Sequence, residues 1–202
     1  MFTLEDGVRA VRFARDIIDH HVQGKTIPQP TLPENFNDHQ GAFVTLHTYP
    51  QHDLRGCIGI PTPIMPLKQA LVEAAKSTTH DPRFPTLQPD ELEGVIVEVS
   101  ILSKPMLIKV NKPQELPKHI VIGRDGLIVE QGMFKGLLLP QVPIEQRWNK
   151  EEFLSHTCMK AGLTPDAWFD RFTKVYKFSG QVFKEIKPHG DIEENKLDGS
   201  SC

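Results

Sequence analysis

A chain of 202 residues with 39% hydrophobic and 24% charged residues has globular composition and the length for one well-buried domain rather than two independent ones. Its formal net charge of −3, with no cluster of five or more basic residues, excludes nucleic acid as the expected partner. The longest apolar runs, such as Leu137–Leu139 and Val95–Val97, are strand-sized against the roughly 20 residues that span a bilayer, and no secretory signal opens the chain, so no membrane association is expected.

Periodicity predicts a first helix over 3–22. Thr3 is its N-cap with acidic Glu5 and Asp6 behind, Val8, Val11, Ile18 and Val22 form one stripe, and Gly24 stops it. Pro28, Pro30 and Pro33 make the next segment an extended surface connection. Residues 43–48 and 55–60 read as strands joined by the turn-prone Tyr49-Pro50-Gln51-His52-Asp53, that is, as a hairpin. Pro66 suits the N1 position of a helix on which Leu67, Ala70, Leu71, Ala74 and Thr78 share a face, ending near His80. Val95, Val97, Val99 and Ile101 then alternate with Ile96, Glu98, Ser100 and Leu102 in the clearest strand of the chain. One face of it is wholly apolar. The other sets Glu98 and Ser100 among hydrophobes and borders either solvent or a polar pocket.

In the second half, 119–123 and 127–131 flank Gly123-Arg124-Asp125-Gly126, where the Asp-Gly pair predicts a hairpin turn. Residues 135–140 read as another strand. Asn149 caps a helix carrying Phe153, Leu154, Thr157, Cys158 and Ala161, which Gly162 ends, and Thr164 with Pro165 opens a shorter one through Trp168 and Phe169. A last strand or hairpin spans 175–186. Strands and helices do not alternate regularly, which predicts an α+β fold with a mainly antiparallel sheet flanked by helices. Residues 1–187 are expected to form a single domain of two lobes sharing one core, each half reading as strands followed by helix. Residues 188–202 are polar with few apolar anchors and are expected to be a disordered tail.

The segment Leu54-Arg55-Gly56-Cys57-Ile58-Gly59 is the first with chemical content. As a strand it places Arg55, Cys57 and Gly59 on one face, and Gly56, Ile58 and Ile60 on the other, where the isoleucines face the core. Arg55 and Cys57 then lie roughly 6–7 Å apart, and a nearby guanidinium favours a thiolate. Glycine weakens a strand unless a close approach uses the missing side chain, which makes Gly56 and Gly59 candidate ligand-contact positions. The same residues also fit a packed cysteine and an arginine paired with a surface carboxylate. Cys57, Cys158 and Cys202 form no CxxC and are odd in number, so no disulfide framework is expected and the thiols read as reduced in a cytoplasmic protein.

LRGCIG at 54–59, DPRF at 81–84, VEVSIL at 97–102, LPQV at 139–142 and the CxKAGL run at 158–163 occur in the order typical of the AMMECR domain. The chain resembles that family over about residues 1–187 and looks like a stand-alone member. The resemblance implies an α+β fold with a barrel-like sheet and two similar halves, and a cleft beside LRGCIG. It implies no established reaction or cofactor.

Further candidates follow in chain order. Pro82 holds Asp81 extended, so Asp81 and Arg83 can serve as base and anion clamp, or equally as a helix-end ion pair with Phe84 as a core plug. Glu98 interrupts an apolar strand. Gln141 and Glu145 follow the end of a strand, placed for ligand contact or for capping the next helix. HExxH, CxxC, GxSxG and Walker patterns are absent, so no metal is expected and no cofactor is identified. Two readings remain open. In one, Cys57 is a candidate nucleophile with Asp81 as candidate base, acting on a small polar or anionic ligand bound by Arg55, Gly56, Gly59, Arg83, Glu98, Gln141 and Glu145. In the other, the cleft is a non-catalytic interaction module for a peptide or protein loop.

Overall fold

The structure is a computed structural model that describes residues 2–27 and 31–195. In chain order the elements are α1 (Leu4–Val22), β1 (Gly41–Thr48), β2 (Leu54–Ile60), α2 (Leu67–Thr78), β3 (Val95–Leu102), β4 (Met106–Leu107), β5 (Asp125–Gln131), β6 (Phe134–Leu138), α3 (Val142–Glu145), α4 (Lys150–Lys160), β7 (Lys174–Glu185) and β8 (Ile192–Asn195). The fold is α+β, its described strand pairs are antiparallel, and helices flank the strands. The described residues fall into two compact units, one within 2–104 and 181–195, the other within 105–180. The buried apolar residues likewise form two clusters, one in each unit.

In the first unit, β1 lies between β2 and β3. Its alternation sends Ala42, Val44 and Leu46 to one face with Val97 and Val99, against Val11, Ala14 and Ile18 of α1 and Leu67, Leu71 and Ala74 of α2. Helix α1 starts where the sequence predicts. The Thr3 hydroxyl accepts from the Asp6 amide at 3.1 Å, and the Asp6 carboxylate accepts from the Thr3 amide at 2.9 Å. Pro66 is the N-cap of α2 rather than its first residue. The chain returns at the end: Phe183 is fully buried in this cluster, and Arg15 and Glu185, 4% and 3% exposed, form an ion pair whose Nε bond measures 3.0 Å. Arg15 also donates to the Val95 carbonyl at 2.6 Å, and Glu185 accepts from the Val97 amide at 2.9 Å, so the pair ties α1, β3 and the end of β7 together. Residues 192–195, expected in the tail, instead form β8 on β7, with Ile192 packed against the cluster. Residues 196–202 lie outside the described residues.

In the second unit, β5 lies between β6 and β7. Helix α4, capped by Asn149 as predicted and reciprocally by Glu152, buries Phe153, Leu154 and Cys158 against Leu127, Val129 and Val175. The expected Asp-Gly hairpin turn is not there. Asp125 and Gly126 belong to β5, opposite Ser179 and Phe178, and the hairpin partner of β5 is β6. The reason is the Asp125 carboxylate, which is buried and accepts from the Val121 amide at 2.9 Å and from Arg124 Nε at 2.8 Å, so it holds the preceding loop instead of turning a strand.

Candidate functional site

LRGCIG is β2, the outermost strand in the order β2-β1-β3 of the first unit. Its two glycines are occupied by the protein itself. A Cβ on Gly56 would stand 2.7 Å from the Thr78 carbonyl oxygen at the end of α2, and one on Gly59 would stand 2.3 Å from the ring of Phe43. Both were expected to admit a ligand; their missing side chains are used by the last turn of α2 and by the neighbouring strand.

Arg55 is likewise committed internally. Its guanidinium makes a bidentate pair with Glu91, Nε to Oε1 at 2.8 Å and Nη2 to Oε2 at 3.0 Å, which holds the Glu91 carboxyl below its ordinary pKa. This is the arginine–carboxylate pairing of the sequence reading.

An edge strand leaves backbone groups pointing outward, and here the Asp81-Pro82-Arg83 loop takes those of Cys57. The Cys57 amide donates to Asp81 Oδ2 at 2.9 Å, and Arg83 Nη2 donates to the Cys57 carbonyl at 3.2 Å. Asp81, 2% exposed, also accepts from the Arg83 amide at 3.0 Å, from Nε at 3.0 Å and from Nη2 at 2.7 Å. The Arg83 side-chain bonds, with those from the Cys57 and Arg83 amides, hold the Asp81 carboxyl well below the usual carboxylate range. A carboxylate so stabilised and so occupied braces the loop against β2. Arg83 behaves differently. Its side chain is 56% exposed, and its pKa is raised chiefly by the Asp81 bonds. Arg83, rather than Arg55, is the guanidinium that contacts Cys57, through its carbonyl.

The Cys57 side chain lies on the polar face of the sheet. Register places Cys57 opposite Thr45, and Thr45 opposite Glu98, so the three share one row, with the thiol and the carboxyl roughly 10 Å apart across β1 at ordinary strand spacing. The Thr45 hydroxyl donates to Cys57 Sγ at 3.3 Å. Burial raises the pKa of Glu98, and Lys184 opposes the rise. His47 is two residues along β1 from Thr45. Its Nδ1 is buried with no hydrogen-bond partner among the described residues, and burial lowers its pKa. Thr45, His47, Glu91 and Lys184 carry no motif. The alternation of β1 against β3 is the signal that would have placed Thr45 beside Glu98.

Gln141 and Glu145 belong to the second unit. Gln141 holds the N-cap position of α3 without a side-chain capping bond, and Glu145 is exposed with its amide on the Gln141 carbonyl at 3.1 Å. Cys158, also there, is fully buried, and burial pushes its thiol up to about 11. Cys202 lies outside the described residues. Among the described residues, no three His, Cys, Asp or Glu side chains are grouped to hold a metal, and no helix is long and apolar enough to cross a membrane.

Fold and site together define an α+β protein whose edge strand LRGCIG is braced by an Asp-Pro-Arg loop. The family model described as AMMECR1 matches residues 11–183, and the chain belongs to that family. It is similar to Protein MJ0810 of Methanocaldococcus jannaschii, 54% identical over 98% of each chain. Protein PH0010 of Pyrococcus horikoshii is 50% identical, with 98% of this chain and 99% of that one covered. The crystal structure of uncharacterized protein PH0010 superposes with a TM-score of 0.82 at 49% identity, covering 95% of this chain and 97% of that chain. These relatives bring a family and a fold, and no specific activity.

Proposed function

We propose that this AMMECR1-family chain binds a small anionic or polar ligand at the Cys57–Arg83 edge of β2. One observation carries the reading: the Arg83 guanidinium is more than half exposed, yet it is fixed by the buried Asp81 and rests on the Cys57 carbonyl. A cation already held in one geometry loses little freedom on meeting an anion, and its planar fork suits carboxylate or phosphate oxygens. The setting taken for this reading is cytoplasmic, with reduced thiols. Thermal-shift titrations with inorganic phosphate and malonate test it. The wild-type melting temperature should rise saturably with at least one of them, and Arg83→Ala should abolish the rise. Equal shifts in both proteins, or none in the wild type, would overturn the reading.

A second reading, in which Cys57 is a nucleophile, is favoured by the Thr45 hydroxyl bond to Sγ, which stabilises negative charge on sulfur. Cys57→Ser should then retain the anion-dependent shift and lose any turnover found in a cell-extract metabolite screen. Wild-type protein that changes no extract metabolite would leave binding, of a small ligand or of a peptide loop, as the function.

A further inference from the structure

In the first unit the chain meets α1 again at the turn between β7 and β8, which the Ile186 amide closes on the Asp191 carbonyl at 2.9 Å. His189 sits in this turn at φ +55°, a left-handed conformation that histidine adopts more readily than most side chains. Both of its ring nitrogens face carboxylates. Nδ1 is 3.7 Å from Asp19 Oδ2 of α1, and Nε2 is 3.3 Å from Glu93 Oε1 in the short helical turn Pro89–Gly94 before β3. A neutral imidazole has one N–H, so one of the two carboxylates would meet a lone pair; only the imidazolium presents a donor to each. The charges behind Asp19 ask for the same proton. Buried Arg15 lies between two carboxylates, Glu185 at 3.0 Å from Nε and Asp19 with Oδ1 at 3.5 Å from Nη1. One guanidinium between two carboxylates leaves a net negative charge, and Asp19 Oδ1 is buried with no hydrogen bond among the described residues. Lys187 and Asp191, the other charged residues of the turn, make no ion pair among the described residues, so the imidazolium is the group placed to balance Asp19.

We propose that His189 is a proton-operated clasp: charged, it bridges Asp19 and Glu93 and fastens the β7–β8 turn to α1 and to the segment before β3, and neutral, it lets that turn open. The Asp19 arm carries most of the effect, because Asp19 is 19% exposed and Glu93 84%, and an ion pair in water is worth little. Fastening is present while the imidazole is charged and is lost as pH rises through the ordinary histidine range, at about 6.5. On the acid side it ends where Asp19 itself takes a proton, and burial moves that point above the ordinary aspartate range. The clasp stands independently of the Cys57–Arg83 edge.

Amide hydrogen exchange of the full chain at pH 5.5 and at pH 8 is the test, each variant read against wild type at the same pH. His189→Asn removes the charge and keeps a residue at ease with positive φ. At pH 5.5 it should speed exchange of the Ile186 amide and of the β8 amides about two- to fivefold, and at pH 8 it should match wild type. In an Asp19→Asn background the same substitution should change exchange by less than about twofold at pH 5.5, as a double-mutant cycle requires of partners. Amides of β1 in the same samples report that the unit is folded; if Asp19→Asn exposes them, the comparison of His189→Asn with wild type decides alone. Equal exchange in the two at pH 5.5, a gap undiminished at pH 8, or a full-sized effect in a folded Asp19→Asn chain would each overturn the proposal.

Discussion

Asp81 accepts four hydrogen bonds, one from Cys57 and three from Arg83, with its side chain 1% exposed. Asp81→Asn keeps the shape and turns an acceptor into a donor facing donors, so a loss of about 1–3 kcal/mol is expected. The pH dependence identifies the charge as the cause. Asp81 titrates lower in the folded chain than in the unfolded one, so its contribution is complete above the ordinary aspartate range, near 3.9, and fades as pH falls below it. The gap in melting temperature between wild type and Asp81→Asn should be wide at pH 7 and narrower at pH 3; a constant gap would assign the loss to shape alone. Glu98 runs the other way. Burial raises its folded pKa, so its ionised form is a cost above the ordinary glutamate range, and Glu98→Gln should raise the melting temperature at pH 7 with the gain vanishing near pH 4. A residue retained at such a cost suits a functional face. For the thiol, iodoacetamide labelling of Cys57 should slow in Arg83→Ala and change little in Arg55→Ala, whose partner is Glu91; the opposite order would return the activating role to Arg55. The sequence made these residues visible as candidates but not their roles, because Asp81 is spent on an amide 24 positions away and spacing carries no sign of such a bond.

Both units repeat one arrangement: a hairpin, a helix, and a strand laid antiparallel beside the hairpin's first strand, β2-β1-β3 in one and β6-β5-β7 in the other. Each hairpin's second strand also carries a buried glycine under the end of a later helix, α2 over Gly56 and α4 over Gly136. A Cβ on Gly56 would meet the Thr78 carbonyl at 2.7 Å, and one on Gly136 would meet the Ala161 nitrogen at 2.3 Å. Because the obstacle in both cases is helix backbone, Gly56→Ala and Gly136→Ala should each cost about 1–3 kcal/mol in denaturant melts. Gly59→Ala should cost a comparable amount, since its Cβ would meet the Ala42 carbonyl oxygen at 2.6 Å as well as the Phe43 ring. A much smaller loss from Gly59→Ala would show that the β1 backbone yields where the helix end does not. The apolar alternation of 95–101 and the caps Thr3 and Asn149 were legible because they are local. The turn at Asp125-Gly126 was misread because a turn-forming pair tells nothing of a buried carboxylate that prefers to hold Val121 and Arg124.

The first unit is assembled from two segments far apart in sequence, within 2–104 and 181–195, and this is the level at which the sequence was least informative. A polar stretch after Pro188 reads as tail, yet Ile192 packs on the apolar cluster and β8 pairs with β7, contacts that only the closing of the chain creates. The same closing brings Glu185 to Arg15 across 170 positions. A chain ended after Gly180 would lose Phe183, at about 3–5 kcal/mol for a buried aromatic. It would also remove Glu185 from the buried Arg15, leaving Asp19 at 3.5 Å as its remaining carboxylate, at up to about 3–5 kcal/mol for a broken buried pair. Against total stabilities of about 5–15 kcal/mol, those losses are enough to unfold the unit that contains the LRGCIG strand. A milder cut after Pro188 removes β8 and Ile192 but keeps Glu185 and Phe183, so it should lower the melting temperature without abolishing the fold. Hydrogen exchange separates the outcomes: after the Gly180 cut, amides of β1 and β3 should exchange at unfolded rates, whereas after the Pro188 cut they should remain protected in a chain that melts earlier. Unchanged melting after the Pro188 cut would mean that β8 contributes no stability, and protection of β1 after the Gly180 cut would mean that residues 1–104 hold their own core.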